Sequence, residues 1–144
     1  MTEEERRFKI RVCLDILRIT NVIGQVDVRI FDTIDICYLE PIDVIISQFD
    51  TVNGKLYVVT KEKTYFAIED IEYDIEDFRP YFRPLSDITQ EEQAELDKLN
   101  NSGYDSQFLY ALKKKWYIKH HFDFYKLIEK GMAIVASKNT FNYF

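Results

Sequence analysis

The chain has 144 residues, of which 47% are apolar and 15% aromatic, enough for one buried core, and its four glycines and three prolines are too few for a disordered segment. Its formal net charge of −6 argues against a non-specific nucleic-acid binder, which needs a net basic surface or a basic stripe. That total hides an asymmetry: residues 1–60 carry −3, 61–100 carry −7 and 101–144 carry +4.

The amino terminus, M-T-E-E-E-R-R, lacks the apolar run of a secretion signal, and no stretch approaches the ~18 apolar residues that span a bilayer. The expectation is a cytoplasmic protein without a membrane partner. Cys13 and Cys37 have no metal-ligand spacing and are expected to be reduced and buried.

In chain order, Thr2 can cap a helix running to about Ile19, with Glu3, Glu4 and Glu5 at its positive end and an apolar set of Phe8, Val12, Cys13, Ile16, Leu17 and Ile19. Asn21 to Gly24 breaks it. Val26, Val28 and Ile30 then alternate with polar residues and predict a strand, followed by strands over 34–39 and 42–49 divided by a turn at Glu40-Pro41. Asn53-Gly54 predicts a tight hairpin with both central residues at positive φ, leading into a strand over 55–60. A turn over 61–63 and a strand over 64–68 follow.

Residues 69–77, E-D-I-E-Y-D-I-E-D, read as a strand with Glu72, Asp74 and Glu76 on one acidic face, or as an acidic loop. That face is a candidate partner-binding surface able to imitate nucleic acid for a basic partner. A cation site is disfavoured, because no Asp-x-Asp-x-Asp-Gly loop is present.

Phe78 to Thr89 is read as an irregular strap between a β-rich half, 1–77, and a helical half, 90–144, of one domain. Pro80 and Pro84 bar a helix or a central strand, while Phe78, Tyr81, Phe82 and Leu85 are too apolar for a solvated linker. Thr89 and Glu92 have capping-box spacing for a helix over 90–99, which Asn100 to Gly103 ends. Asp105 or Ser106 starts another, through Lys119, whose apolar stripe is Phe108, Leu109, Leu112, Trp116 and Tyr117. Asp123 is expected to cap a short helix through Lys130, stopped by Gly131, and residues 132–136 to form a final strand or tail.

No nucleophile elbow, phosphate-binding glycine loop, H-E-x-x-H or cysteine cluster is present, so the chain is read as a non-enzyme with no catalytic residues, metal or cofactor. The basic end interleaves lysines with aromatic residues, the mixture that stacks on bases and meets phosphate. Its candidate ligand-binding set is Trp116, Lys119, His120, His121 and Lys126.

Three blocks, M-T-E-E-E-R, I-E-D-F-R-P-Y-F-R-P-L-S-D-I-T-Q-E-E and H-H-F-D-F-Y-K-L-I-E-K-G-M-A-I, occur in that order across almost the whole chain. Together they resemble an uncharacterised group of small proteins from phages and prophages of gut Bacteroidota. In that group the strap usually reads K-P-Y-L-R-P, and Tyr-Arg-Gly stands where this chain has Phe124-Tyr125-Lys126. The resemblance implies an intracellular, phage-associated setting and carries no catalytic residues.

The fold expected is α+β: an amino-terminal helix, a small antiparallel sheet curled into an SH3-like barrel, the proline strap and short carboxy-terminal helices. The function expected is that of a phage accessory protein that binds a host or phage macromolecule. The alternatives are a small-ligand protein that sequesters a nucleotide and an acidic nucleic-acid mimic; a homodimer is compatible with all three.

Overall fold

The computed structural model describes the backbone of residues 1–33, 36–60 and 68–143, and the side chains of these apart from 30–33, 36, 37 and 143. The expectations for Lys61 to Lys63, for burial of Cys37 and for residues 64–67 of the strand predicted over 64–68 lie outside the described residues; Ile68, its last residue, instead begins a 3-10 turn. The elements are α1 (Glu3–Leu17), β1 (Ile23–Thr33), β2 (Ile36–Asp50), β3 (Lys55–Thr60), β4 (Tyr73–Asp74), β5 (Arg79–Phe82), α2 (Gln90–Asn100), α3 (Ser106–Lys119) and β6 (Ile134–Val135). The fold is α+β, with α1 leading into a curled six-stranded sheet ordered β4-β3-β2-β1-β5-β6.

Both capping boxes form. The Glu5 N–H donates to Thr2 Oγ1 while Glu5 accepts from the Thr2 N–H, and Glu92 and Thr89 repeat the exchange at α2. Each pair satisfies amides that a helix start leaves without partners.

Three predicted interruptions prove to be strand. β2 runs through Pro41: among the described residues β3 pairs with it from Val44 to Asp50, and Pro41 has β1 alone as its neighbour. A missing N–H is tolerated at such an open edge. β5 likewise runs through Pro80: its partners are staggered, with β1 opposite Arg79 and Pro80 and parallel β6 opposite Tyr81 and Phe82. The proline therefore needs to serve only one neighbour. The break predicted at 21–24 also shortens, since β1 begins at Ile23 and Gly24 pairs with Pro80.

The Asn53-Gly54 hairpin forms with different geometry. Gly54 has φ +70°, but Asn53 is not left-handed; the loop closes through the Gly54 N–H to the Asp50 carbonyl at 2.8 Å. The Asp50 carboxylate accepts from the Val52 and Asn53 amides and from Asn53 Nδ2, which substitutes for the tight-turn geometry. At the other end, no helix forms over 124–130. Lys126 adopts φ +58°, which breaks helical propagation, and the Asp123 carboxylate instead caps the Leu127 and Ile128 amides.

The core joins both halves. α1 contributes Ile10, Val12, Cys13 and Ile16, the sheet Val26, Val44, Ile46, Leu56 and Val58, and the carboxy-terminal half Ile118, Leu127 and Met132. Burial pushes the Cys13 thiol up to about 12, which keeps it an inert thiol.

The seam at Gly24 is unusually close. A Cβ there would lie 2.3 Å from the Arg79 carbonyl oxygen and 2.8 Å from Pro80 Cα, both backbone atoms. Gly24→Ala should therefore destabilise the fold by roughly 1–3 kcal/mol through overpacking. Urea unfolding checks this: an unchanged midpoint would show that β5 can move away without loss.

Candidate functional site

Lys9, Arg83 and Glu92 are the charged residues among the buried set, and two of them meet. Arg83, just after β5, makes a bidentate pair with Glu92, at 2.8 and 2.7 Å. Its Nε donates to Asp87 Oδ2 at 2.8 Å, and its remaining hydrogens go to the carbonyls of Asp87 and His120 at 3.0 and 3.1 Å. All five guanidinium donors are thus used. The guanidinium also lies over the Phe122 ring, 4.2 Å from its centroid.

Burial works against the Arg83 charge, but the Glu92 and Asp87 bonds outweigh it and hold the guanidinium more firmly protonated than usual. Glu92 responds in kind: bonds from Arg83, helped by the Thr89 amide, bring its carboxyl down to about 2. The backbone completes the joint, with the Arg83 N–H donating to the His121 carbonyl and the Asp123 N–H to the Arg83 carbonyl. Strap, α2 and the end of α3 are locked at one point.

The histidine region divides here. His120 Nδ1 lies 3.2 Å from Glu92 Oε2, and its ring packs against Trp116, whose Nε1 donates to Glu95. His121 turns away at φ +65° and stacks on Phe141 with centroids 4.1 Å apart. Burial, then Arg83 and His120, lower the His121 imidazole to about 4, so it is neutral near pH 7. Lys119 and Lys126 are exposed. The five residues proposed as one ligand site are therefore not assembled into one: Trp116 and His120 pack on the latch, His121 on the carboxy-terminal turn, and the two lysines point to solvent.

A groove does lie beside Lys126. Pro84, Leu85, Tyr117, Phe122, Phe124 and Ile128 form its apolar wall and Asp123, Lys126 and Glu129 its polar one, around about 360 Å³. Tyr117 and Phe124 also line a neighbouring hollow of about 340 Å³ with Ser106, Leu109, Tyr110, Lys113 and Lys114. The two hollows follow one face of α3. This helix was expected to pack by an apolar stripe, yet of its fourteen residues only Ile118 is buried, while Phe108 is 49% and Tyr110 61% exposed. Tyr104, 51% exposed, sets its ring edge against Phe108. The stripe spacing was legible in the sequence; which side of it would be covered was not.

The acidic segment is neither a long strand nor a free face. Only Tyr73 and Asp74 pair as β4, and Ile75–Asp77 is a 3-10 turn capped by Asp74 itself. Asp74 bonds Arg6 of α1 at 2.7 Å and Lys55 at 3.1 Å; burial raises its carboxyl, but these bonds and the Glu76 amide outweigh that and bring it to about 2. Glu76 stands 3.9 Å from Arg6, and Lys9 donates to the Phe78 carbonyl beneath. Of the proposed trio Glu72, Asp74 and Glu76, only Glu72 is free of α1. Among the described residues, no group of three or more His, Cys, Asp or Glu residues could hold a metal ion.

Comparison with protein families, with characterised proteins and with solved structures finds no match.

Because the folded value of Glu92 is depressed, the unfolded chain takes up the proton first as pH falls. Stability from the Arg83–Glu92 pair is complete above about pH 4.5 and is lost toward about pH 2, a swing of order 3 kcal/mol. Asp74 acts in the same window and sign. Wild-type urea midpoints should fall across this range, whereas Glu92→Gln should be less stable at pH 7 and decline more gently; parallel declines would rule the pair out as a source of acid sensitivity.

Proposed function

We propose that this chain is a non-enzymatic accessory protein that binds a partner protein along the groove between α3 and residues 122–129. The observation that carries the reading is that α3 is so little covered: it presents Phe108 and Tyr110 to solvent, and its Tyr117 meets Phe124 of the following segment along the groove. An exposed aromatic patch beside a concave apolar floor is a typical anchor for a partner. Among the described residues Lys113 and Lys126 make no ion pair, whereas Lys114 is committed to Asp15 at 2.9 Å and Asp123 to capping. The unspent lysines favour an acidic partner segment bearing apolar side chains.

The chain's resemblance to phage and prophage proteins supports a partner from the phage or its host cell. The meander from β1 to β4, the 3-10 turn before β5, and β5 antiparallel to β1 support an SH3-like reading of the sheet. The nucleotide-sequestering alternative draws less support, because Trp116 and His121 already stack on the chain's own rings. So does the nucleic-acid mimic, whose Asp74 is spent on Arg6 and Lys55.

A photo-crosslinking residue placed at position 110, with one at exposed position 91 of α2 as control, tests the reading in cells. Adducts to a protein should form from 110 and not from 91, and Lys113→Glu with Lys126→Glu should reduce them about tenfold, the loss expected of ~1–2 kcal/mol at an interface anchor. Equal capture at both positions, or capture indifferent to the lysines, would count against the groove.

A further inference from the structure

We propose that two copies of this chain associate through the free edge of β1, which forms an antiparallel pair with β1 of the second copy centred on Val28. β1 and β2 continue well beyond the rest of the sheet. β5 reaches β1 only at Gly24 and Gln25, and β3 reaches β2 only from Val44, so among the described residues the stretch from Val26 to Thr33 and its partner stretch from Ile36 to Ile42 pair only with each other. A two-stranded ribbon on its own is marginal in water, and each outer edge offers a row of unpaired backbone groups to another strand.

The two edges are not equivalent. The β2 edge carries Pro41, which blocks pairing by removing a donor, and the β1 edge carries no proline. Among the described residues, the β1 edge past Val26 is the one open to strand addition.

Its sequence is self-complementary. In Val26-Asp27-Val28-Arg29-Ile30 the charge changes sign about Val28. An antiparallel pair centred there sets Asp27 of each copy opposite Arg29 of the other and Val28 opposite Val28; Val26 is fully buried in its own chain and marks the end of the open stretch. Opposite charges directly across an antiparallel pair stabilise it, and like charges destabilise it. Both side chains are available: Asp27 and Arg29 are exposed, and Arg29 makes no ion pair among the described residues. Asp27 is held by Arg79 in a bidentate pair at 3.0 and 2.9 Å, which orients its carboxylate without burying it. Such a register is isologous and closes at two copies. The register shift between Phe31 and Thr33 ends the regular stretch where a longer pairing would run against β5.

Sedimentation of the purified full chain at micromolar concentrations is the test. Wild type should run as a dimer, twice the 17.3 kDa chain mass. Asp27→Arg sets Arg against Arg, and Arg29→Asp sets Asp against Asp; each should weaken the dimer about tenfold or more, and the double variant should recover it because the opposite charges face again. Arg79→Gln, which removes only the intrachain pair, should leave the dimer in place. Arg29 has no ion-pair partner to lose among the described residues, so its reversal reads association rather than folding. A wild type that stays monomeric, single reversals that leave the dimer intact, or a double variant that fails to restore it would each overturn the proposal. None of these outcomes bears on capture at position 110, so the two readings stand or fall separately.

Discussion

The interaction on which the rest of the molecule depends is the buried pair between Arg83 and Glu92. Two ions taken out of water cost several kcal/mol each unless their remaining hydrogen-bonding capacity is filled. Here it is filled: both carboxylate oxygens of Glu92 accept from Arg83, one also caps the start of α2, and the other faces His120. With Arg83 saturated, removing any partner would leave a charge stranded in the interior, so the strap, α2 and the α3 terminus cannot be displaced independently. The carboxy-terminal segment is tied in as well, because the Lys138 N–H donates to Asp87, the same carboxylate that holds Arg83.

A second, smaller latch works at the other end of the sheet. Arg6 on α1 meets Asp74 and the Asn53 carbonyl, while Lys9 reaches the Phe78 carbonyl, so α1 is pinned across the β3–β4 edge by cations placed one turn apart. The strongly acidic middle of the chain is in this sense an internal counter-charge. Among the described residues only Asp74, Asp87 and Glu92 are spent in this way, while Glu69, Asp70, Glu72, Glu76, Asp77, Glu91, Glu95 and Asp97 stay exposed, and the exposed aromatic groups gather on α3.

The two latches also explain how prolines come to lie within strands. Pro80 is held by Gly24 on one side and by the anchoring of Phe78 and Phe82 in the core on the other. Side-chain burial on both flanks does there what a continuous ladder does in an ordinary strand. At Pro41 no such anchoring is needed, because among the described residues β2 has β1 alone as its neighbour there.

What the sequence determined by itself was whatever depends on neighbours within about four residues. The boxes at Thr2 and Thr89, the Asp105 cap on α3 and the reversal at Gly54 all follow from local hydrogen bonding and backbone sterics. Only the tertiary structure decided which arginine before a proline would be buried. Arg79 and Arg83 occupy equivalent places in F-R-P-Y-F-R-P, yet one reaches Asp27 at the surface and the other Glu92 in the interior. It also decided that Asp74 would serve Arg6, sixty-eight positions away, and that α3 would keep its aromatic face uncovered. The physical reason is one of range: a cap is complete within a turn of chain, whereas burial and ion pairing are properties of a place in space that distant segments must reach together.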